Sequence, residues 1–185
     1  RLSDAKELIG VELQPGLAER AVRNVELNRL QQRIRIVLGD VRKIRELLPV
    51  SSAELVVSNP PFRSVGSGRV SPGDERAAAR HELAGGLSDF VAAAGWLLNN
   101  GGRFAVIYLA ERLSELLVEM TTAGIEPKRV RMVHPRQQES ARMVLVEGRK
   151  SGNPGLVVEK PLCIYKGEGR DYSDEILSMY ENQAD

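Results

Sequence analysis

A chain of 185 residues with 42% apolar and 28% charged content and a net charge of +1 has room for one domain with a real core, and disorder is excluded. No apolar run approaches the roughly 20 residues of a spanning helix and no signal-peptide core follows Arg1-Leu2-Ser3-Asp4, so no membrane is expected and the location expected is cytoplasmic. Near-neutral charge argues against coating nucleic acid by bulk electrostatics, and the single Cys163 excludes an intramolecular disulfide or a multi-cysteine metal site.

In chain order, Leu8-Ile9-Gly10-Val11-Glu12 is a short apolar run closed by an acid, and Pro15 opens a helix with Leu17, Ala21 and Val25 at spacing four. Ile34 and Ile36 alternate along a second strand over 33–38, Gly39-Asp40 ends it, and 41–48 is a short amphipathic helix. Leu55-Val56-Val57 predicts a third, buried strand. A long loop runs from Pro60 to about Gly86, a length usually reserved for function or motion. Leu87, Phe90, Val91, Ala94, Leu97 and Leu98 make a helical stripe, which Asn100-Gly101-Gly102 is expected to stop before a strand over 103–109. Leu113, Leu116, Leu117 and Met120 give another helix. Strands over 130–134 and 142–147 follow, joined by a connector too short for a helical crossover, so they should pair antiparallel. Strands alternating with helices predict a doubly wound α/β domain, mostly parallel, with an antiparallel edge hairpin.

The third strand ends in Asn59-Pro60-Pro61-Phe62. Two prolines donate no backbone hydrogen bonds and fix φ near −65°, so this segment leaves the sheet as a stiff arm with free carbonyls. Open α/β sheets place their chemistry in the crevice beyond such strand ends. The competing reading of the dipeptides is a plain turn.

With Glu12 ending one strand, Asp40 the next and this tetrapeptide the third, the order resembles the class I S-adenosylmethionine-dependent methyltransferases. The tetrapeptide is similar to their (Asn/Asp/Ser)-Pro-Pro-(Tyr/Phe) signature for methylating planar amino groups. Arg76 and Arg80 in Glu75-Arg76-Ala77-Ala78-Ala79-Arg80-His81, the stretch 127–150, Pro161-Leu162-Cys163-Ile164-Tyr165 and Tyr172-Ser173-Asp174-Glu175 resemble the bacterial tRNA1(Val) adenine-N6 methyltransferase family. The resemblance implies a Rossmann-like sheet, S-adenosylmethionine as cofactor and an RNA substrate, a tRNA anticodon loop, methylated at adenine N6. It also implies a first strand and a Gly-rich loop ahead of Leu8. Gly66-Ser67-Gly68 does not replace that loop, since no helix opens on it, and residues 1–185 are therefore expected to be one methyltransferase domain lacking its first strand.

The resemblance also implies roles. Glu12 would accept from the two ribose hydroxyls of the cofactor, for which two carboxylate oxygens suit a vicinal diol. Asp40 would take the adenine's exocyclic amine, with the Val41 N–H donating to the ring; local sequence leaves Asp40 equally open as a helix N-cap. The Asn59 side-chain oxygen and the Pro60 carbonyl would each take one hydrogen of the target amine, while Pro61 stiffens the arm and Phe62 stacks on the base. No metal is required by this chemistry, and His81 and His134 stand apart from any ligand cluster.

Between 128 and 150 seven basic residues face two acidic ones, a local basic patch. Arg129, Arg131, Arg136 and Arg142 are its candidates for the RNA backbone, together with Arg76 and Arg80, which share one face if their segment is helical. Internal pairing of Arg76 and Arg80 with Asp74, Glu75 or Glu82 is the alternative. Three rival functions stay open: guanine-N2 methylation in ribosomal RNA, glutamine methylation in a protein, and an RNA-binding relative without cofactor.

Overall fold

In the computed structural model, which describes residues 5–62 and 85–181, two parallel pairs of strands frame the chain. Strand β1 (Leu8–Glu12) lies beside β2 (Ile34–Leu38), in register from Leu8 against Ile34 to Glu12 against Leu38. Helix α1 (Pro15–Leu27) makes the crossover, opened by Pro15 in its first turn, where the missing N–H costs nothing. Its inner stripe is Ala18, Ala21 and Val25; Leu17, expected there, is exposed, because Ala18 is the residue that turns onto the strands. The expected helix over 41–48 is divided into a 3-10 turn (Val41–Lys43) and one α-turn, α2 (Ile44–Leu47). Ile44 and Leu48 are buried there, and the Trp96 Nε1 donates to the Leu48 carbonyl at 3.1 Å.

Strand β3 (Ala53–Ser58) runs parallel to β4 (Leu98–Leu109). Between them helix α3 (Leu87–Leu97) crosses the sheet, and helix α4 (Leu113–Thr122) follows β4. The pair β5 (Ile125–His134) and β6 (Met143–Lys150) is antiparallel as expected, but β6 is inserted between β4 and β5, antiparallel to both. Two short strands, β7 (Val157–Val158) and β8 (Leu162–Cys163), add parallel to β5, and helix α5 (Asp174–Glu181) closes the described chain. The larger sheet thus reads β3-β4-β6-β5-β7, with β8 also on β5.

The main core lies between this sheet and α3 and α4: Val91, Ala94, Leu98, Phe104, Tyr108, Leu116, Met120, Val144 and Val146 are all buried. A second cluster joins β1, β2 and α2 to α3 through Val11, Val37, Ile44, Leu48, Ala93 and Trp96. Two expectations are corrected. Strand β3 is not buried on both faces: Val57 is 72% and Leu55 46% exposed, because among the described residues β3 pairs only with β4 and only its Val56 face meets the helices. Nor does Asn100-Gly101-Gly102 end α3; the helix stops at Leu97 and the three residues lie inside β4, where Gly101 at φ +78° sits in the stretch in which the β3–β4 register shifts.

Candidate active site

The strand ladder of β3 closes at Ser58 against Val106, and the next four residues leave the sheet. Asn59 is exposed, Pro60 fully buried, and Pro61 and Phe62 half-buried. The arm is therefore seated by its first proline while the amide beside it faces outward. A parallel β3–α3–β4 crossover returns its helix against the strand direction, so the start of α3 shares the sheet edge on which Asn59 lies. Gly85 and Gly86 mark that start, and the Gly86 N–H donates to Asp89 Oδ2 at 2.8 Å. A Cβ on Gly85 would lie 3.5 Å from Arg42 Cγ, which ties the Asp40 turn to the same edge.

Glu12 and Asp40 stand at the ends of adjoining parallel strands, bridged by the Gly39 N–H donating to the Glu12 carbonyl at 2.9 Å. Glu12 Oε1 accepts from the Gln14 N–H at 2.8 Å. Asp40 does cap its turn, accepting from the Arg42 N–H at 2.9 Å through Oδ1. Its carboxylate also takes Arg42 Nε at 3.0 and 2.9 Å and Nη2 at 2.5 Å. This hydrogen bonding by Arg42 holds the Asp40 carboxyl below its ordinary range. Val41, first in the turn, has an N–H with no acceptor inside it. The arrangement sets two carboxylates and the Val41 N–H at the ends of adjoining strands, with an amide oxygen and proline carbonyls on the stiff arm. The first group can take hydroxyl and amine donors, and the second can take the hydrogens of a planar amine.

Phe62 turns its ring toward the core, 5.9 Å from the buried Tyr108 ring and tilted 52°. Its carbonyl accepts from Arg112 Nη1 at 3.2 Å. Sequence reading missed Tyr108 and Arg112, and Arg42 as well. Arg42 had a local signal, a cation two residues after an acid; Arg112 lies 50 residues from Phe62 and had none.

Three of the four candidate arginines on the basic stretch are committed internally. Arg129 pairs with Glu159 at 2.6 Å and lies 4.0 Å from Glu147. Arg131 places Nη2 at 2.7 and 2.8 Å from both Glu175 oxygens and donates to the Lys160 carbonyl at 3.0 Å. Arg136 pairs with Glu139 at 2.6 Å and lies over the Tyr165 ring. Arg142 is exposed, with no ion pair among the described residues, and its carbonyl accepts from the Ala110 N–H just beyond β4. Arg76 and Arg80 lie outside the described residues, as does His81. Among the described residues no group of three or more His, Cys, Asp or Glu is placed to hold a metal ion, and no helix is long and apolar enough to cross a membrane.

No protein-family model matches the chain. A solved structure described as a predicted O-methyltransferase from Agrobacterium tumefaciens superposes at a TM-score of 0.74 with 20% identity, covering 96% of this chain and 78% of that one. An S-adenosylmethionine-dependent methyltransferase from Aquifex aeolicus gives 0.52 with 16% identity, covering 78% and 69%. The fold is the Rossmann-like fold of class I methyltransferases. Among curated proteins, one named tRNA1(Val) (adenine(37)-N6)-methyltransferase from Porphyromonas gingivalis is 31% identical over 142 residues, 76% of this chain and 55% of that protein. A protein of the same name from Trichodesmium erythraeum is 28% identical over 176 residues, 95% of this chain and 71% of that protein. The chain is similar to these adenine-N6 methyltransferases, and it spans about half the length of the Porphyromonas relatives it matches.

Proposed function

We propose that this chain carries the methyl-transfer site of an S-adenosylmethionine-dependent RNA adenine-N6 methyltransferase whose substrate is the anticodon loop of a tRNA. The observation that carries the reading is the tetrapeptide: it leaves β3 at the sheet edge with Pro60 buried and Asn59 exposed, at the edge where α3 begins and where Gly85 lies against Arg42 of the Asp40 turn. The names of the curated relatives support adenine and tRNA as the target class.

The donor set suits the cofactor. Glu12 keeps one oxygen clear of the Gln14 N–H for ribose hydroxyls, and Asp40, held ionised by Arg42, accepts an exocyclic amine beside the donating N–H of Val41. When bound, S-adenosylmethionine supplies a methyl group activated by its sulfonium. The chain's own residues supply geometry. The lone pair of an aromatic amine is delocalised into its ring; the Asn59 amide oxygen and the Pro60 carbonyl, each accepting one N–H, draw that nitrogen toward tetrahedral and aim its lone pair for in-line attack. The C–S bond breaks as the N–C bond forms, and the surplus amine proton leaves toward the acceptors and solvent. A base inside a stacked loop must be turned out first, at a cost of a few kcal/mol. The half-buried Phe62 would offer what stacking surface its packing on Tyr108 leaves, and Arg142, exposed with no ion pair among the described residues, is placed for a phosphate.

The test is methyl incorporation into tRNA with labelled cofactor and mass analysis of the modified nucleoside. N6-methyladenosine is expected, with Asn59→Ala folded but lowered roughly 10²–10³-fold in kcat. N2-methylguanosine, or transfer to protein glutamine, would replace the substrate assignment, and an Asn59→Ala variant near wild-type rate would end the mechanism.

A further inference from the structure

Around the carbonyl of Phe62 three side chains, Tyr108 at the end of β4 and Arg112 and Glu115 just after it, form a clamp that the proposed reaction does not use. The Arg112 guanidinium donates through Nη1 to the Phe62 carbonyl at 3.2 Å. Its other edge is held by Glu115, with Nε at 2.7 Å from Oε2 and Nη2 at 2.5 Å from Oε1. Its face lies 5.1 Å from the centroid of the Tyr108 ring, the ring against which Phe62 itself packs. One cation thus contacts both the backbone after the tetrapeptide and the aromatic floor beneath it.

This arrangement is built to be rigid. Arginine presents a planar fork, so fixing two of its nitrogens on a carboxylate fixes the direction of the third. The Arg112 side chain is 21% exposed, and its link to Glu115 holds it charged. Tyr108 is fully buried and its hydroxyl has no hydrogen-bond partner among the described residues, an arrangement that costs free energy and whose ring is nonetheless kept under the arm. The arm itself is short. Its first end is fixed by the β3 ladder at Ser58, two successive prolines lock φ in the middle, and Arg112 fixes the far end at Phe62. With both ends held, the Asn59 amide and the Pro60 carbonyl have little freedom left.

We infer that Arg112 is a positioning residue for methyl transfer, which, oriented by Glu115 and seated on Tyr108, holds the Asn59-Pro60-Pro61-Phe62 arm in the geometry that receives the target amine. The inference rests on the proposed function, since the arm has this purpose only if it grips an amine. A misplacement of about 1 Å costs on the order of 10²-fold in rate, so loss of the clamp falls on kcat while RNA and cofactor binding persist.

The experiment has two readouts on the full chain. The protein has three phenylalanines, so labelling with 4-fluorophenylalanine gives three fluorine resonances, of which Phe62→Leu assigns one. Arg112→Ala is expected to shift and broaden the Phe62 resonance while those of Phe90 and Phe104 hold, which also certifies the fold. In methyl-transfer assays the same variant is expected to lose on the order of 10²-fold in kcat with KM for the RNA little changed. Arg112→Lys, which keeps a donor but not the fork, should recover part of both. A Phe62 resonance that Arg112→Ala leaves in place, or a kcat unchanged beside a resonance that moves, overturns the positioning role. A wild-type protein that transfers no methyl group overturns the functional reading beneath it, even with the fluorine response intact.

Discussion

Asp40 takes the cap role that local sequence left open. It caps the Val41–Lys43 turn through one oxygen and takes the Arg42 side chain through both, two donors on each oxygen, so a cofactor amine would share the carboxylate with Arg42. The Arg42 hydrogen bond lowers its pKa from the ordinary 3.8. The sign follows: the cap and ion pair are fully present above that ordinary value and are lost as pH falls through the lower folded one. A carbon-13 titration of the Asp40 carboxyl should therefore midpoint below 3.8 in the wild type and move up toward it in Arg42→Ala. Equal midpoints in the two proteins would mean that Arg42 swings free in solution. If the ionised Asp40 holds the cofactor amine as proposed, cofactor affinity should be flat from neutral pH down to that range.

Among the elements, β6 shows how closely helix and sheet approach. A Cβ on Gly148 would fall 2.3 Å from Met120 Cε and 2.7 Å from Ile125 Cγ2, inside the main core. Met120 is flexible, but Ile125 belongs to the adjoining strand and cannot withdraw as easily. Gly148→Ala is expected to cost about 1–3 kcal/mol in denaturant unfolding, the usual penalty for overpacking; an unchanged midpoint would show that the strand shifts freely. Helix α5 has a different kind of anchor. Ser173 Oγ donates to the Cys163 carbonyl at 2.6 Å, and Glu175 receives Arg131, a cation whose side chain is only 14% exposed. The Arg131 hydrogen bond lowers the Glu175 pKa, so this contact holds through the ordinary carboxylate range and loosens only as pH falls below it. Glu175→Gln should release α5 at neutral pH, read as faster amide exchange over residues 174–181 with β5 and β6 still protected.

Across the whole molecule, charge counted along the chain and charge available at the surface differ. The basic stretch from 128 to 150 looks like a nucleic-acid footprint in one dimension, yet Arg129, Arg131 and Arg136 spend their guanidinium groups on Glu159, Glu175 and Glu139. Arg142 is exposed, with no ion pair among the described residues, and sits at the edge of the sheet that carries Asn59. Arg142→Ala should weaken RNA binding and reduce the slope of log affinity against log salt by about 1, as for one lost phosphate contact. Arg131→Gln should instead loosen α5 and leave that slope unchanged. Equal salt slopes for Arg142→Ala and the wild type would remove Arg142 from the interface.

The sequence by itself determined the alternation of strands and helices, the antiparallel pairing of β5 with β6 and the placing of Glu12, Asp40 and Asn59 at strand ends. Those properties are local: a hydrophobic period, a closing acid or a proline is written in neighbouring residues. Only the tertiary structure decided that β6 lies between β4 and β5, that Val57 and Leu55 are exposed, and that the arginines at 129, 131 and 136 are taken by acids up to 44 residues away. It alone brought Arg112 to the carbonyl of Phe62. Strand order, burial and ion pairing depend on which distant segments meet, and no period or motif within a segment encodes that meeting.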